Sequence, residues 1–312
     1  MIDMELFYEN SNIINKKEYD IFVDNSPQGS IFAKSWWLDT LCDEWMCASI
    51  KDSSGRIHCA LPLPYYKRHF RGAVAFNPVL TRYLGFLFRE SEGRNMKILS
   101  NQTQLINKIA PILYKYRKID LLFHYNFNCW LPFKKFNFSA QPYYTYILNT
   151  SLQIEDIRSG YRENIRREIK KASKIFNLTD VSLNEFYDIY SNSFLRKGSS
   201  IPISYDKLNK LHFKLKERNA CYIVGAREGA QLVSAAYIVV DNKEHRYLMG
   251  GTTDAALKKG ASSFVLDRSI LNAKNDNKHF NFEGSMNEDI IRYFRSFGGD
   301  LTTYYRILRG FF

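Results

Sequence analysis

The 312-residue chain is 45% hydrophobic and 15% aromatic, enough core material to exclude a disordered protein, and its length suits two domains of roughly 150 residues each. Forty-four basic against thirty-two acidic residues give a net charge of +12, a balance that favours polyanions, nucleotide phosphates or acidic lipid head groups. Five cysteines with no C-x-x-C pair, six scattered histidines and no apolar run of membrane-spanning length argue against a disulfide scaffold, a metal site and a transmembrane segment, and predict a reduced, cytoplasmic protein.

In chain order, the first half reads as a strand over 5–8, a helix over 15–25 and a second helix over 34–41 around Trp36 and Trp37. Two strands follow over 45–52 and 56–66, split by Ser53-Ser54-Gly55, which is hairpin chemistry. Residues 71–88 read as an apolar, loop-rich stretch. A helix is expected over 102–116, then strands over 119–127 and 143–150.

The second half opens with a capping candidate at Thr150 or Ser151. Tyr161, Ile165, Ile169, Ala172 and Phe176 then recur on one helical face. The other faces of that helix hold the densest charge of the chain, seven basic and two acidic residues between Arg158 and Lys174. Helices over 182–198 and 204–219 precede three strands, 221–228, 231–241 and 244–253, joined by short turns. A helix over 261–276 leads to a final unit. Phe280 and Phe282 alternate as a strand ending at Glu283-Gly284-Ser285, Ile290, Ile291, Phe294 and Phe297 repeat at helical spacing, and Gly298-Gly299 caps that helix ahead of a last strand. The element order of the two halves repeats itself without close sequence similarity, which predicts a duplicated fold with its junction at 143–150.

The passages "YTYILNTSLQIEDIRSGYRENIRREIKKASK", "SNSFLRKG", "LKKGASSFVLD" and "FNFEGSMNEDIIRYFRSFGG", in this order, resemble the Fem-type and BioF2-like acyltransferases, which carry two GNAT domains in tandem. The resemblance covers residues 140–312 and extends to residues 1–140 through "IFAKSWWLD" and "NPVLTRYLG". It implies an α/β (α+β) chain of two GNAT-like acyl-CoA N-acyltransferase domains, each a mixed, mostly antiparallel sheet flanked by helices, over residues 1–145 and 146–312. It further implies transfer of an acyl group from acyl-CoA, or an aminoacyl group from charged tRNA, to an amine of a cell-envelope, sugar-nucleotide or lipid precursor. Acetyl-CoA is then the expected cofactor and no metal is expected. No stable nucleic-acid complex is expected, whereas peripheral membrane contact is compatible with the charge.

Site candidates follow from that resemblance and from the residues. Glu283, at a strand end beside a glycine, is the candidate base that takes the amine's proton; its alternatives are to cap the next helix or to pair with an arginine. Arg196 and Lys197 lie where the family places an arginine against the acceptor's phosphates, or they form a helix C-cap. Arg162 and Arg166 lie one turn apart, and Ser285, Tyr205 and Trp37 are substrate-contact candidates with capping, orienting and core alternatives. Arg295 stands where the family has a lysine facing the donor. Lys258, Lys259, Gly260, Ala261 and Ser262 correspond to the loop whose amides bind the CoA pyrophosphate, but the family's leading Gln or Arg is Leu257 here and only one glycine remains. That weakening admits an alternative, a GNAT-like ligand-binding protein without catalysis. No Ser-His-Asp or Cys-His arrangement is readable, so no covalent acyl-enzyme is expected.

Overall fold

A computed structural model describes residues 4–68 and 72–310. The described chain divides into two compact units, the first running to Tyr143 and resuming at Thr303, the second spanning Tyr144–Thr302.

In the first unit, strand β1 (Met4–Asn10) is followed by helix α1 (Lys16–Asn25), whose start is fixed by the Asn15 side chain accepting from the Glu18 N–H. Helix α2 (Ser35–Leu41) then leads to strands β2 (Trp45–Asp52) and β3 (Ile57–Arg68). Their turn places Gly55 at φ +81°, and Asp52 accepts from the Ser54 and Arg56 amides. The stretch expected as loop contains strands β4 (Gly72–Phe76) and β5 (Leu87–Phe88). Helix α3 begins earlier than expected and spans Asn95–Ile109. Pro111 has no N–H for the α-helical ladder, and the chain continues as a 3-10 turn over Ala110–Lys115. Strand β6 is confined to Lys118–Leu122, because the chain turns at His124, where the Phe127 N–H donates to the His124 carbonyl. Strands β1 to β4 pair antiparallel in sequence order, and β6 joins β4 in parallel, Val74 opposite Lys118.

The second unit repeats that plan. Strand β7 (Ser139–Leu148) enters it and is followed by helices α4 (Ile154–Ser159) and α5 (Glu163–Ala172). The expected capping hydroxyl of Thr150 instead donates to the Lys278 carbonyl, and α4 starts after Gln153. Tyr161, Ile165, Ala172 and Phe176 are buried, as their spacing predicts. Strand β8 (Asn177–Asp180), helices α6 (Leu183–Leu195) and α7 (Tyr205–Lys216), and strands β9 (Cys221–Glu228), β10 (Gln231–Val240) and β11 (Glu244–Thr252) follow. After the single turn α8 (Asp254–Leu257) come helix α9 (Ala261–Asn275), strand β12 (His279–Asn281) and helix α10 (Glu288–Arg295). Strands β8 to β11 pair antiparallel in sequence order, β12 joins β11 in parallel, and β7 closes antiparallel on β12.

The last strand, β13 (Asp300–Arg309), pairs antiparallel with β6. Residues from Thr303 onward therefore count with the first unit, which differs from the expected division into 1–145 and 146–312. In each unit an antiparallel meander, a helix, a parallel strand and an antiparallel closing strand come in the same order: β1–β4, α3, β6 and β13 match β8–β11, α9, β12 and β7. One buried cluster around Leu61, Phe86, Phe123 and Phe127 forms the core of the first unit, and another around Tyr161, Ile238, Ile270, Phe280 and Phe297 forms that of the second.

Candidate functional site

The second unit holds a cleft of about 280 Å³ lined by α6 and by the ends of β9, β10 and β11. Helix α6 is started by a capping box in which Ser182 and Glu185 bond each other's backbone N–H. Gly251 sets its distance from the sheet: a Cβ there would lie 2.6 Å from the Ile189 carbonyl oxygen, so only glycine lets helix and strand touch. The helix therefore ends with Arg196 at the end of β11. Nη2 donates to the Thr252 carbonyl at 2.7 Å and Nη1 lies 3.3 Å from Asp254.

Four residues of α6 and its C-cap, Glu185, Asp188, Asn192 and Arg196, recur at helical spacing and all line the cleft. Across from them Arg227 of β9 pairs with Glu185. That hydrogen bond, with those from Ser182, holds the Glu185 carboxyl down to about 2. Arg196 and Arg227 are thus each matched by a carboxylate, whereas Asp188 is exposed and has no ion pair among the described residues. Asp188, Asn192 and Arg227 were not singled out from the sequence. The signal available was the i, i+3, i+7, i+11 spacing of Glu185, Asp188, Asn192 and Arg196 along one face of the helix.

Glu283 lies elsewhere in the unit, in a buried charge cluster. Its Oε1 accepts from Arg246 Nη1 at 3.0 Å, and its side chain is 4% exposed. Arg246, itself fully buried, also reaches Asp241 at 3.1 Å and Glu244 at 2.8 Å. Asn281 donates to Glu244 and accepts from Thr145 and from the Glu283 N–H, knitting β7, β11 and β12 together. The backbone of Glu283 is left-handed, φ +60°, a conformation rarely taken outside glycine, and Gly284 follows at φ +62°. Gly284 packs directly against β7 and leaves no room beside it: a Cβ there would meet the Tyr144 carbonyl oxygen at 2.2 Å. The arginine-pairing alternative is therefore the arrangement observed.

The start of α9, expected to hold a pyrophosphate, is covered by the unit's own side chains. Gly260 adopts φ +82°, and a Cβ would meet Glu168 Cβ at 2.8 Å. Ser263 donates to the Glu168 carboxylate at 2.7 Å, and Tyr293 of α10 donates to Ser262 at 3.1 Å. Ala261 is fully buried, Lys259 pairs with Glu228 at 2.6 Å, and Lys258 is exposed.

The remaining candidates are dispersed. Trp37 is fully buried, its indole N–H donating to Thr81 at 2.9 Å and its ring edge-on to Phe32, so it belongs to the first unit's core and offers no face to a substrate. Tyr205 opens α7, bonds Asn184 and packs edge-on against Tyr187. Arg162, Arg166, Lys197 and Arg295 are exposed, with Arg166 donating to the Ser159 carbonyl at 2.7 Å. Ser285 accepts from the Asn287 N–H, and Asn287, not Ser285, caps α10. No group of three or more His, Cys, Asp or Glu among the described residues is placed to hold a metal ion, and no helix among them is long and apolar enough to cross a membrane.

Taken unit by unit, this is a fold shared with FemX and with a tandem GNAT protein. The structure of FemX is similar over 96% of both chains, with a TM-score of 0.72 at 12% identity. A tandem GNAT protein from the clavulanic acid biosynthesis pathway is similar over 97% of this chain and 98% of its own, with a TM-score of 0.58 at 9% identity. The C-terminal domain of a putative lysylphosphatidylglycerol synthetase from Agrobacterium fabrum matches 95% of this chain and 92% of its own, with a TM-score of 0.57 at 11% identity. No protein-family model and no curated protein matches the sequence.

Proposed function

We propose that the protein is an acyltransferase that forms an amide, moving an acyl or aminoacyl group onto an amine of a cell-envelope, sugar-nucleotide or lipid precursor. The observation that carries this reading is the α6 cleft, in a fold shared with FemX and a tandem GNAT protein. Amide formation needs a neutral amine at an acyl carbonyl. Asp188, the cleft carboxylate without an ion pair, binds the incoming ammonium and takes its proton directly or through water; as the amine bonds to the acyl carbon, the acyl–oxygen bond to the tRNA ribose or the acyl–sulfur bond to CoA breaks, and the departing oxygen or sulfur takes that proton. Arg196, anchored on Thr252, orients an anionic group of the acceptor, and Asn192 supplies a neutral hydrogen bond. Glu283, enclosed with Arg246, supports the sheet from which the cleft is built.

For the donor, a CoA pyrophosphate at the start of α9 would meet the Glu168 carboxylate, which like-charge repulsion opposes. Charged tRNA therefore ranks ahead of acyl-CoA as donor. The same covered helix start favours one second reading, a GNAT-like protein that binds its ligand without turnover. Incubation of the purified protein with labelled aminoacyl-tRNAs, acetyl-CoA and longer acyl-CoAs against a pool of cell-extract amines separates the two. Transfer that is lost in Asp188→Asn supports the enzyme, and absence of transfer from every donor supports the second reading.

A further inference from the structure

The first unit contains a pocket of about 470 Å³ lined by Lys134, Asn137, Phe138, Ser139, Leu308, Arg309 and Gly310. Its polar lining comprises two cations, an amide and a hydroxyl, with no carboxylate. Arg309 is held in place. Its Nη2 donates to the carbonyls of Leu113 and Tyr116 at 2.9 and 2.7 Å, and its guanidinium lies 4.5 Å from the Tyr114 ring and 5.5 Å from that of Phe138. It has no ion pair among the described residues, and its buried Nε has no hydrogen-bond partner. Arg306, three residues earlier on β13 and on its opposite face, is instead matched by Asp120 through two bonds of 2.7 Å.

Lys134 is exposed and, like Arg309, has no ion pair among the described residues. It is presented by the 3-10 turn Leu131–Phe136, which ends where Asn137 takes a left-handed conformation, φ 58°. Around this pocket the sequence is one-sided. Between Asn95 and Ser139 the basic residues are Lys97, Lys108, Lys115, Arg117, Lys118, Lys134 and Lys135, against Asp120 alone as an acid. A stacked guanidinium that has lost much of its rotamer freedom, beside a free ammonium and with no competing carboxylate, is a preorganised receptor for a tetrahedral oxyanion.

We propose that this pocket binds a phosphate ester. Arg309 and Lys134 share its charge, and Ser139 and Asn137 donate to the remaining oxygens. The volume admits a sugar phosphate or a nucleotide-sized ligand beyond the phosphate itself. The inference does not depend on the acyl-transfer reading.

The test is calorimetric titration of the 312-residue protein with glucose 6-phosphate and with glycerol 3-phosphate, alongside co-sedimentation with phosphatidylglycerol vesicles. Wild-type protein is expected to bind saturably in at least one arm. Lys134→Glu is expected to weaken that binding by about tenfold or more with an unchanged unfolding midpoint, as is Ser139→Asp. Lys174→Glu, in the second unit, is expected to leave it unchanged. Binding in the soluble arms identifies a free phosphate ester and binding only to vesicles a lipid head group. Arg309→Ala removes a stacked side chain and tests folding as well, so the exposed Lys134 and Ser139 decide the matter. The proposal is overturned by the absence of saturable binding up to about 10 mM in the soluble arms together with no vesicle binding. It is equally overturned by binding that Lys134→Glu and Ser139→Asp leave intact or that Lys174→Glu weakens as much.

Discussion

Arg246 and Glu283 meet at 3.0 Å inside the second unit, both almost fully shielded from water, with Asp241 and Glu244 on the same guanidinium. Removing the arginine leaves three carboxylates buried without their cation. Arg246→Met is expected to cost about 3–5 kcal/mol of folding stability, read from urea denaturation. A loss below about 1 kcal/mol would show that the cluster is not what holds β11 and β12 together.

Glu283→Gln separates a supporting role from a chemical one. The neutral amide keeps a hydrogen bond to Arg246 but loses the charge, so stability is expected to fall by about 1–3 kcal/mol while turnover of the folded protein stays within about tenfold. A fall in kcat of about 10²–10⁴ at unchanged stability would make Glu283 the base.

In the cleft, Asp188→Asn and Arg196→Ala are expected to act on function and not on folding. Asp188 is exposed and unmatched, and the Arg196–Asp254 pair is open to solvent, so each change should leave stability within about 1 kcal/mol. Loss of a charge-assisted bond to the acceptor is expected to raise KM by about 10- to 100-fold. For Asp188→Asn kcat should fall as well. Unchanged acceptor kinetics in both variants would move the acceptor site out of this cleft.

Gly251→Ala probes the seat of α6. The added methyl would press on the Ile189 carbonyl oxygen at 2.6 Å, and the helix must shift or the strand bend. The expected loss is about 1–3 kcal/mol, with a parallel loss of acceptor binding because Arg196 and Asp188 ride on that helix. Wild-type stability would mean that the helix and strand separate freely.

Two histidines of the second unit set an acid limit. Burial lowers His212, which is bonded to Tyr237 at 2.7 Å, and lowers His245 against the opposing pull of Asp276. A histidine whose folded pKa lies below its unfolded value of about 6.5 contributes stability that is present above that value and lost as pH falls, since the unfolded chain then binds more protons. The thermal midpoint is expected to drop between about pH 7 and pH 5, less steeply in His212→Gln. A midpoint that rises on acidification through this range would contradict the assignment.

The alternation at Phe280 and Phe282, the helical stripe from Tyr161 to Phe176 and the order of strands and helices after Ser182 were legible in the sequence, because each is set by local periodicity and by turn residues such as Gly55 and Gly298. The same local signals recorded the duplication. They could not assign β13 to the first unit, since pairing of Ile307 with Leu121 depends on hydrogen bonds between segments almost two hundred residues apart. Nor could they tell that Glu283 faces a buried arginine, that Trp37 is in the core, or that Glu168 lies over the start of α9. Those facts depend on which distant side chain occupies the space beside each residue. The cleft on α6 shows the division most clearly: the row Glu185, Asp188, Asn192 and Arg196 is written in the sequence, but only packing decides that Arg227 pairs with Glu185, that Asp254 lies beside Arg196 in the open, and that Asp188 has no ion pair among the described residues.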